Sequence, residues 1–430
     1  MPTTTSAPVP AASIDRSYRA LLSVPALGRV LVGMQISRIA QSMVGLAVVL
    51  FTLDVYGSAA VSGVVAAAAT LPGIVASPVA GALLDRHGRT RLVVLDYLVA
   101  ATSLIVTAVL SAAGLLPVWL LIIIAAISSL TGPLSTTGLR SLFPVMVPRH
   151  LWERANAADS TGYVLASLVG APAAGLLFQL VGPQGALVGI ALVFLLAAVV
   201  LLRIPDPRTD VVSTGRLWLD AWQGLRYTWE NRTLRALGFS ISTLNLAWGV
   251  LGIVLPVIVL RRFESGPLVV GLLFAVQAVG GVVAAFAFGR IDSHGRERRM
   301  LAIPTLGSGL LFLALVPSAG LLPLAVCMLA TGILNGPIDI ALFTIRQRRT
   351  DPAWMGRAFA VSMAFNSLGG PLGSAIAGFI ATGSPEVALL VASAACGISA
   401  VLSAVLIPDA GEPAAIPANG TPSVGDQGGS

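Results

Sequence analysis

Residues 81–91 have the sequence GALLDRHGRTR and join two apolar runs, and residues 292–298, DSHGRER, follow a later apolar run. Five of the seven positions in 85–91 recur in 292–298, at an offset of 207 residues. A charged turn that recurs between apolar runs indicates an internal repeat. The apolar runs are about 20 residues long, which is enough for a helix to cross a hydrocarbon core of about 30 Å.

The composition is typical of a chain that lies mostly in lipid. Of its 430 residues, 56% are hydrophobic and 10% are charged, and the mean hydropathy is +0.89, whereas soluble proteins carry about 25% charged residues. The long apolar blocks exclude a transmembrane β-barrel, whose strands alternate apolar and polar residues. We predict an all-α membrane protein with twelve transmembrane helices in two pseudo-symmetric six-helix bundles. The predicted spans are residues 29–53, 58–84, 91–113, 116–139, 156–180, 185–203, 234–260, 267–289, 299–316, 321–345, 357–381 and 385–407.

The basic residues exclude several functions and predict the orientation. All 26 are arginine, so the chain contains neither the lysine of a phosphate-binding loop nor a Schiff-base lysine. Of these arginines, 23 lie on one side of the predicted spans, Arg261 and Arg262 lie on the other, and Arg38 lies inside span 1. The arginine-rich side is predicted to be cytoplasmic. This topology accounts for the net charge of +7 without a nucleic-acid partner.

The spans divide the chain into five predicted segments. They are a disordered cytoplasmic N-terminus (1–25), an N-terminal six-helix bundle (26–203), a cytoplasmic central loop (204–233), a C-terminal six-helix bundle (234–407) and a disordered cytoplasmic C-terminus (408–430). The central loop is rich in tryptophan and is expected to hold an amphipathic surface helix. The histidines are scattered over three loops and form no zinc-binding pattern, so we expect no metal, no cofactor and no enzymatic activity.

Further matches support a duplication of six spans. They recur in the same order at offsets of 203 or 204 residues and fall in equivalent spans. They are Gly132-Pro133 with Gly336-Pro337, Arg154 and Ala155 with Arg357 and Ala358, and Gly170 and Gly175 with Gly373 and Gly378. Two similar halves around a midplane cavity are a transporter architecture.

Residues 81–91 resemble the loop signature of the major facilitator superfamily, G-x-L-a-D-r-x-G-r-[KR]-x, and residues 288–298 resemble a weaker copy in which Phe288 replaces the first glycine. Residues 142–157 and 225–235 resemble the drug:proton antiporter branch that includes macrolide-efflux-like exporters. The resemblance implies secondary transport by alternating access, driven by an ion gradient and usually by protons. It also implies a monomer in the bacterial cytoplasmic (inner) membrane.

The resemblance places Asp85 against span 11, across the interface between the halves. We therefore predict a polar latch that holds one access state and breaks in the other. The alternative is that these arginines only anchor the topology. The predicted latch residues are Gly81, Asp85, Arg86, Gly88, Arg89 and Arg91, with Asp292, Gly295, Arg296 and Arg298 in the second copy.

Charged residues inside the spans are candidates for proton coupling. Arg38 is predicted to face the protein interior, although it could also extend back to the cytoplasmic surface. Asp339 in span 10 is the preferred proton carrier, because spans 1, 4, 7 and 10 line the cavity in the superfamily. It is expected to pair with Arg38 or Arg346, unless it forms only an interfacial ion pair. Asp96, Asp159 and Asp54 are weaker candidates.

Amide and aromatic side chains inside the spans are candidates for substrate contact, although amides also hydrogen-bond helices to one another. No deep acidic cluster indicates a polycation site, so a lipophilic or amphiphilic substrate fits best. We predict export of drug-like compounds or secondary metabolites by proton antiport. An importer or facilitator of a small metabolite, or a non-transporting membrane sensor, are the alternatives. The predicted cavity residues are Gln35, Gln41, Asn245, Trp248, Gln277, Asn335, Phe365 and Asn366.

Overall fold

A computed structural model describes residues 17–202, 204, 217–288, 294–316, 320–351 and 354–408. Within these residues the protein is built from helices and contains no strand. The helices are α1 (Tyr18–Leu22), α2 (Leu27–Tyr56), α3 (Ala59–Ala68), α4 (Leu71–His87), α5 (Arg89–Ala112), α6 (Val118–Met146), α7 (Trp152–Leu201), α8 (Leu217–Glu230), α9 (Arg232–Val257), α10 (Pro267–Phe288), α11 (Glu297–Leu315), α12 (Leu321–Arg348), α13 (Met355–Ser367), α14 (Gly369–Ala381) and α15 (Pro385–Leu406).

Ten helical stretches are long and apolar enough to cross a membrane, and one of them, α7, makes two crossings. Its backbone leaves the helical region at Gly182, with φ 73° and ψ 178°. A Cβ atom on Gly189 would lie 3.1 Å from Leu177 Cδ1, whereas twelve residues of continuous helix span about 18 Å. The helix therefore folds back into two arms, residues 152–181 and 183–201, which are predicted spans 5 and 6.

Spans 2 and 11 are each broken into two helices, which the sequence analysis did not predict. Span 2 consists of α3 and α4, and span 11 consists of α13 and α14. Each first helix ends four residues before a proline, at Ala68 before Pro72 and at Ser367 before Pro371. A proline ring clashes with the carbonyl group four residues earlier and donates no hydrogen bond. With α13 and α14 counted as one span, the structure contains the twelve predicted crossings.

Two segments outside the spans are helical. The central loop contains α8, an amphipathic helix that stacks Tyr227 on Trp354 with 5.1 Å between ring centroids. At the N-terminus, the prediction of disorder as far as residue 25 is wrong for the described residues from 17 onward. There α1 is capped by the Ser17 hydroxyl and buries Leu21.

A glycine with a positive φ occupies the same position of the duplicated motif in both halves of the chain. Gly88 follows α4 with a φ of 93°, and Gly295 precedes α11 with a φ of 73°. The two glycines are 207 residues apart, which is the offset of the duplicated motif. A side chain at either position would be strained, so both positions favour glycine.

The two halves meet closely at one end, which we call the arginine-poor end: there α2 and the first arm of α7 finish and α10 begins. A Cβ on Gly63 would lie 2.9 Å from Gly378 Cα, and one on Gly175 would lie 2.9 Å from Leu268 Cα. Gly271 lies against the backbone of Ala171. Among the glycines that the structure describes, those touching the other half all lie towards this end. The protein is therefore closed at the arginine-poor end.

We expect Gly369→Ala to lower the free energy of unfolding by about 1–3 kcal/mol, the usual range for an overpacked core. A Cβ on Gly369 would overlap the Ser242 carbonyl of α9 and lie 2.9 Å from Leu246 N, and neither backbone atom can move aside. The measurement is the thermal unfolding midpoint of the purified protein in detergent.

The matched control is Gly45→Ala, because a Cβ on Gly45 has no neighbour within 4 Å. Replacing a glycine inside a helix should then leave the midpoint unchanged or raise it. Equal destabilisation by both substitutions would contradict the packing argument.

Candidate functional site

A buried ion pair joins α2 to the first arm of α7. Arg38 Nη2 donates to Asp159 Oδ1, and Arg38 Nη1 donates to the Asp159 backbone carbonyl at 2.9 Å. The side chains are 9% and 8% exposed. Arg38 therefore faces the interior, as predicted. Its partner is Asp159 and not the predicted Asp339, because α2 packs along α7 whereas Asp339 lies on α12, in the other half.

Two further residues complete this cluster. Arg140 of α6 donates from Nε to Asp159 Oδ2 at 3.2 Å, and its side chain is 55% exposed. The Tyr163 ring, one turn after Asp159, lies 3.8 Å from the Arg38 guanidinium carbon and 4.6 Å from that of Arg140. Cation–π contacts of this kind stabilise partly desolvated arginines. Neither Arg140 nor Tyr163 is among the site residues predicted from the sequence. The four-residue spacing of Asp159 and Tyr163 on one helix face was the available signal.

Gly162 leaves the space that this cluster needs. A Cβ there would lie 2.6 Å from Gln35 Oε1 and 2.9 Å from Arg38 Nη1. Gln35 is therefore adjacent to the ion pair. Gln41, one turn after Arg38, donates from Nε2 to Ser135 Oγ at 3.1 Å. Both predicted cavity glutamines of span 1 thus lie in polar surroundings within the N-terminal half.

Asp96 of α5 extends the polar contacts that Gln41 makes. The side chain is buried and faces the hydroxyl groups of Ser135 and Thr131. Because Ser135 also accepts from Gln41, a chain of polar contacts connects α2, α6 and α5. Charge and hydrogen-bonding capacity in the N-terminal half are concentrated where these helices meet α7.

In the C-terminal half, three of the predicted cavity residues meet where α9 packs on α13. Asn245 Nδ2 donates to the Asn366 backbone carbonyl at 2.8 Å. The Phe365 ring covers Gly238 and stacks edge-on against Phe239 at 5.3 Å.

Two of the remaining three, Trp248 and Gln277, lie apart from this group. Trp248 packs edge-on against the buried ring of Phe312 in α11, at 5.5 Å, and so belongs to the core of the bundle. Gln277 lies on α10 at its contact with Gly332 of α12.

Asp339 and Asn335 form a polar pair on α12. Asn335 Nδ2 donates to Asp339 Oδ2 at 2.9 Å across one helical turn, and Asp339 is exposed. The expected pairing of Asp339 with Arg346 is wrong, because Arg346 turns towards α13, where it contacts Met363 and Phe359. One turn after Asp339, Phe343 stacks on Phe359 with 6.1 Å between centroids. The acid therefore borders an aromatic wall.

The predicted latch residues of the first copy lie at the junction of α4 and α5, and the described ones of the second copy lie at the start of α11. Arg89 and Arg91 lie in the first turn of α5, and Arg296 and Arg298 lie at the start of α11. Within the second copy, Glu297 accepts from Arg348 Nη1 of α12 at 2.7 Å. Gly81, Asp85 and Arg86 have side-chain surroundings outside the described structure, and Asp292 lies outside the described residues. The latch therefore stays a prediction.

A polar contact joins the halves at the arginine-poor end. Arg261 Nη2 donates to the Gly57 carbonyl at the end of α2, at 2.6 Å. Arg261 lies in a π-helical turn, Ile258–Arg262, that follows α9. The neighbouring Arg262 contacts only its own half in the described structure, through Glu386 at 3.5 Å and the Val316 carbonyl at 3.4 Å. The two arginines of the arginine-poor end thus differ: Arg261 contacts the other half, and Arg262 contacts its own half.

Comparisons with known proteins agree with this architecture. The sequence profile of the Major Facilitator Superfamily matches residues 30–243 and 237–424. The chain is 36% identical over 403 residues to the MFS-type transporter y4rN of Sinorhizobium fredii, covering 92% of this chain and 98% of the relative. It is 25% identical to macrolide efflux protein A of Streptococcus pyogenes, over 79% of this chain and 85% of that protein.

A second named efflux protein and a solved structure are also similar. The multidrug efflux pump Tap of Mycobacterium tuberculosis is 29% identical, over 75% of this chain and 79% of the pump. The crystal structure of the nucleoside transporter NupG superposes with a TM-score of 0.67 at 14% identity, over 88% of this chain and 97% of that chain. That identity supports the fold alone. The duplicated motif, the two six-helix halves and the profile match together show that this multi-pass membrane protein belongs to the major facilitator superfamily of transporters.

Proposed function

We propose that the protein exports small lipophilic or amphiphilic compounds in exchange for protons by alternating access, across the bacterial cytoplasmic membrane. The proposal rests on the surroundings of Asp339. This acid is exposed on a spanning helix, and its described partner is the neutral Asn335. Intramembrane acids of this kind serve as proton carriers in transporters. The adjacent aromatic pair, Phe343 and Phe359, suits an apolar substrate.

The arrangement of charge supports a division of roles. Asp159 is the counter-ion of two arginines, which favours a fixed structural pair over proton exchange. Asp339 contacts no arginine in the described structure. The macrolide and multidrug efflux relatives support export of drug-like compounds.

The predicted orientation in the membrane indicates which end of the protein must open to release a substrate outside the cell. With the arginine-rich loops and both termini in the cytoplasm, the arginine-poor end faces outwards, and the protein is closed towards that side. Opening to the outside then requires the glycine contacts of α3 with α14 and of α7 with α10 to separate. The hydrogen bond from Arg261 to Gly57 must break in the same step.

The decisive experiment is dye efflux from whole cells with and without a proton uncoupler. We expect uncoupler-sensitive efflux from cells with the parent protein, and loss of efflux to background with Asp339→Asn, because the amide cannot exchange a proton. Glu230→Gln is the control, since Glu230 lies on α8 outside the spans, paired with Arg226. Uncoupler-sensitive efflux that persists in Asp339→Asn would rule out this acid. Dye uptake in place of efflux would favour an importer.

We expect Asp159→Asn to lower the free energy of unfolding by about 3–5 kcal/mol, because it leaves Arg38 buried without a counter-ion. The double variant Arg38→Met, Asp159→Leu should recover most of that loss, since it removes both charges. Thermal unfolding in detergent measures both, and Glu230→Gln, which breaks an exposed pair, should change stability by less than about 1 kcal/mol. A double variant as unstable as Asp159→Asn would contradict this account.

We expect Arg261→Ala to shift the protein towards the outward-open state, because it removes a polar contact between the halves. The measurement is the distance distribution between spin labels at Ser58→Cys and Thr382→Cys, with Cys327 and Cys396 replaced by serine. Longer distances should gain population. Arg262→Ala is the matched control, because its contacts stay within the C-terminal half, and it should leave the distribution unchanged. An identical response in both variants would argue against a gate at Arg261.

A further inference from the structure

An apolar stripe on α8 is exposed at the arginine-rich end of the protein. Trp222, Leu225 and Trp229 follow one another at spacings of three and four residues, so they lie on one face of the helix. Their side chains are 59%, 46% and 55% exposed. The opposite face of α8 is buried and includes Tyr227, which stacks on Trp354. The stripe therefore points away from the body of the protein.

The stripe continues onto a membrane-spanning helix. The Trp229 ring packs edge-on against Phe239 of α9, with 6.1 Å between the ring centroids. Phe239 is 40% exposed, although it lies about two turns inside the apolar stretch that begins at Arg232. One exposed apolar surface therefore extends from α8 to the part of α9 that lies in the membrane.

The neighbours of Phe239 show which way it points. Gly238 lies against Phe365 of α13, and Ser240 donates to the Ser399 carbonyl of α15 at 3.1 Å. Successive residues of a helix are rotated by about 100°, so Phe239 points into the gap between α13 and α15.

This gap opens towards lipid. The α15 helix packs on α9, α11 and α14, which all belong to its own half. Its exposed side chains are apolar, as expected of a helix that faces hydrocarbon. They are Val387, Leu390, Ala394, Ile398, Val401, Val405 and Leu406. An exposed ring beside such an outer helix is therefore available to an acyl chain.

Arg235 places a positive charge at the edge of this apolar surface. It lies one turn before Phe239 on α9 and donates from Nη1 to the Trp229 carbonyl at 2.9 Å. Its guanidinium carbon lies 6.0 Å from the centroid of the Trp229 ring. Among the residues that the structure describes, no carboxylate pairs with Arg235, whereas Arg226 of α8 pairs with Glu230 at 2.7 Å. Arg235 therefore keeps hydrogen-bond donors for an anionic ligand.

The arrangement matches the chemistry of a phospholipid. A guanidinium group binds two phosphate oxygens at once, and tryptophan is enriched at the level of the lipid headgroups. Phe239 provides the apolar surface that an acyl chain needs deeper in the membrane. A soluble anion would use only the arginine, and an uncharged amphiphile would use only the rings. The cation and the rings together favour an anionic amphiphile, and anionic lipids are abundant in the cytoplasmic leaflet.

We propose that Arg235, Trp229 and Phe239 bind an anionic phospholipid in the leaflet at the arginine-rich end. Arg235 binds the phosphate group, Trp229 lies beside the glycerol group, and one acyl chain occupies the gap between α13 and α15. The bound lipid holds α8 on the membrane surface. This site is separate from Asp339 and does not depend on the substrate or the direction of transport.

The test is a titration of the full-length protein in detergent with phosphatidylglycerol or phosphatidylcholine whose acyl chains carry bromine, which quenches tryptophan fluorescence at short range. We expect phosphatidylglycerol to bind about tenfold more tightly, because the choline ammonium group offsets the phosphate charge that Arg235 binds. Arg235→Gln should remove this preference. Arg235→Lys should retain most of it, since lysine also binds phosphate.

Arg149→Gln is the matched control for charge. Arg149 also lies beside a partly exposed tryptophan at the arginine-rich end, 5.9 Å from the Trp152 ring, so its replacement removes the same charge from the same end of the protein. The preference for phosphatidylglycerol should persist in this variant. Equal loss of the preference in Arg149→Gln and Arg235→Gln would show a general effect of charge and overturn the site.

Trp229 itself reports the position of the lipid. Trp229→Phe should lose most of the quenching that is specific to phosphatidylglycerol, whereas Trp119→Phe, at the exposed start of α6 on the arginine-poor end, should keep it. Equal quenching in these two variants would contradict the proposed position, and they decide the outcome if Arg235→Gln does not fold.

Two further outcomes would overturn the proposal. One is equal affinity of the parent protein for both lipids, since the surface would then bind lipid without recognising charge. The other is displacement of phosphatidylglycerol by an equal concentration of glycerol 3-phosphate, since the site would then bind a soluble phosphate ester.

Discussion

Hydrocarbon offers no hydrogen-bond partner, and this constraint shapes the whole protein. Every backbone amide that crosses the membrane must be satisfied within its own segment, so each crossing is a helix. The breaks in the helices occur next to a glycine or a proline. Gly182 turns α7 back on itself, and the breaks in spans 2 and 11 each lie four residues before a proline.

The same constraint governs charge. Arg38, Arg140 and Asp159 form one cluster because a single buried arginine or aspartate would be costly in these surroundings. The cluster also links three helices of one half, α2, α6 and the first arm of α7. Rigid halves are what a rocking mechanism needs, since motion is then confined to the surfaces between them.

Duplication made the two halves similar in shape while their polar contents diverged. The glycine contact of α3 with α14 and that of α7 with α10 are equivalent under the repeat, because Gly175 aligns with Gly378 and Gly63 lies 208 residues before Gly271. The ion cluster is not repeated, since Ser362 aligns with Asp159. The C-terminal half has instead the exposed acid Asp339 and the enclosed cation Arg346. This asymmetry separates the candidate coupling residue from the structural ion pair.

The sequence by itself determined the fold class, the twelve crossings and the duplicated turn motif, because span length, apolar composition and glycine positions are local properties. It also identified Arg38 as an inward-facing charge. Only the tertiary structure decided which acid meets Arg38, that Arg346 is enclosed by neutral residues, and that Trp248 packs in the bundle core. Those outcomes depend on which helices touch and how they are rotated. Hydropathy does not determine the rotation of each helix about its own axis, because these helices are apolar on nearly every side.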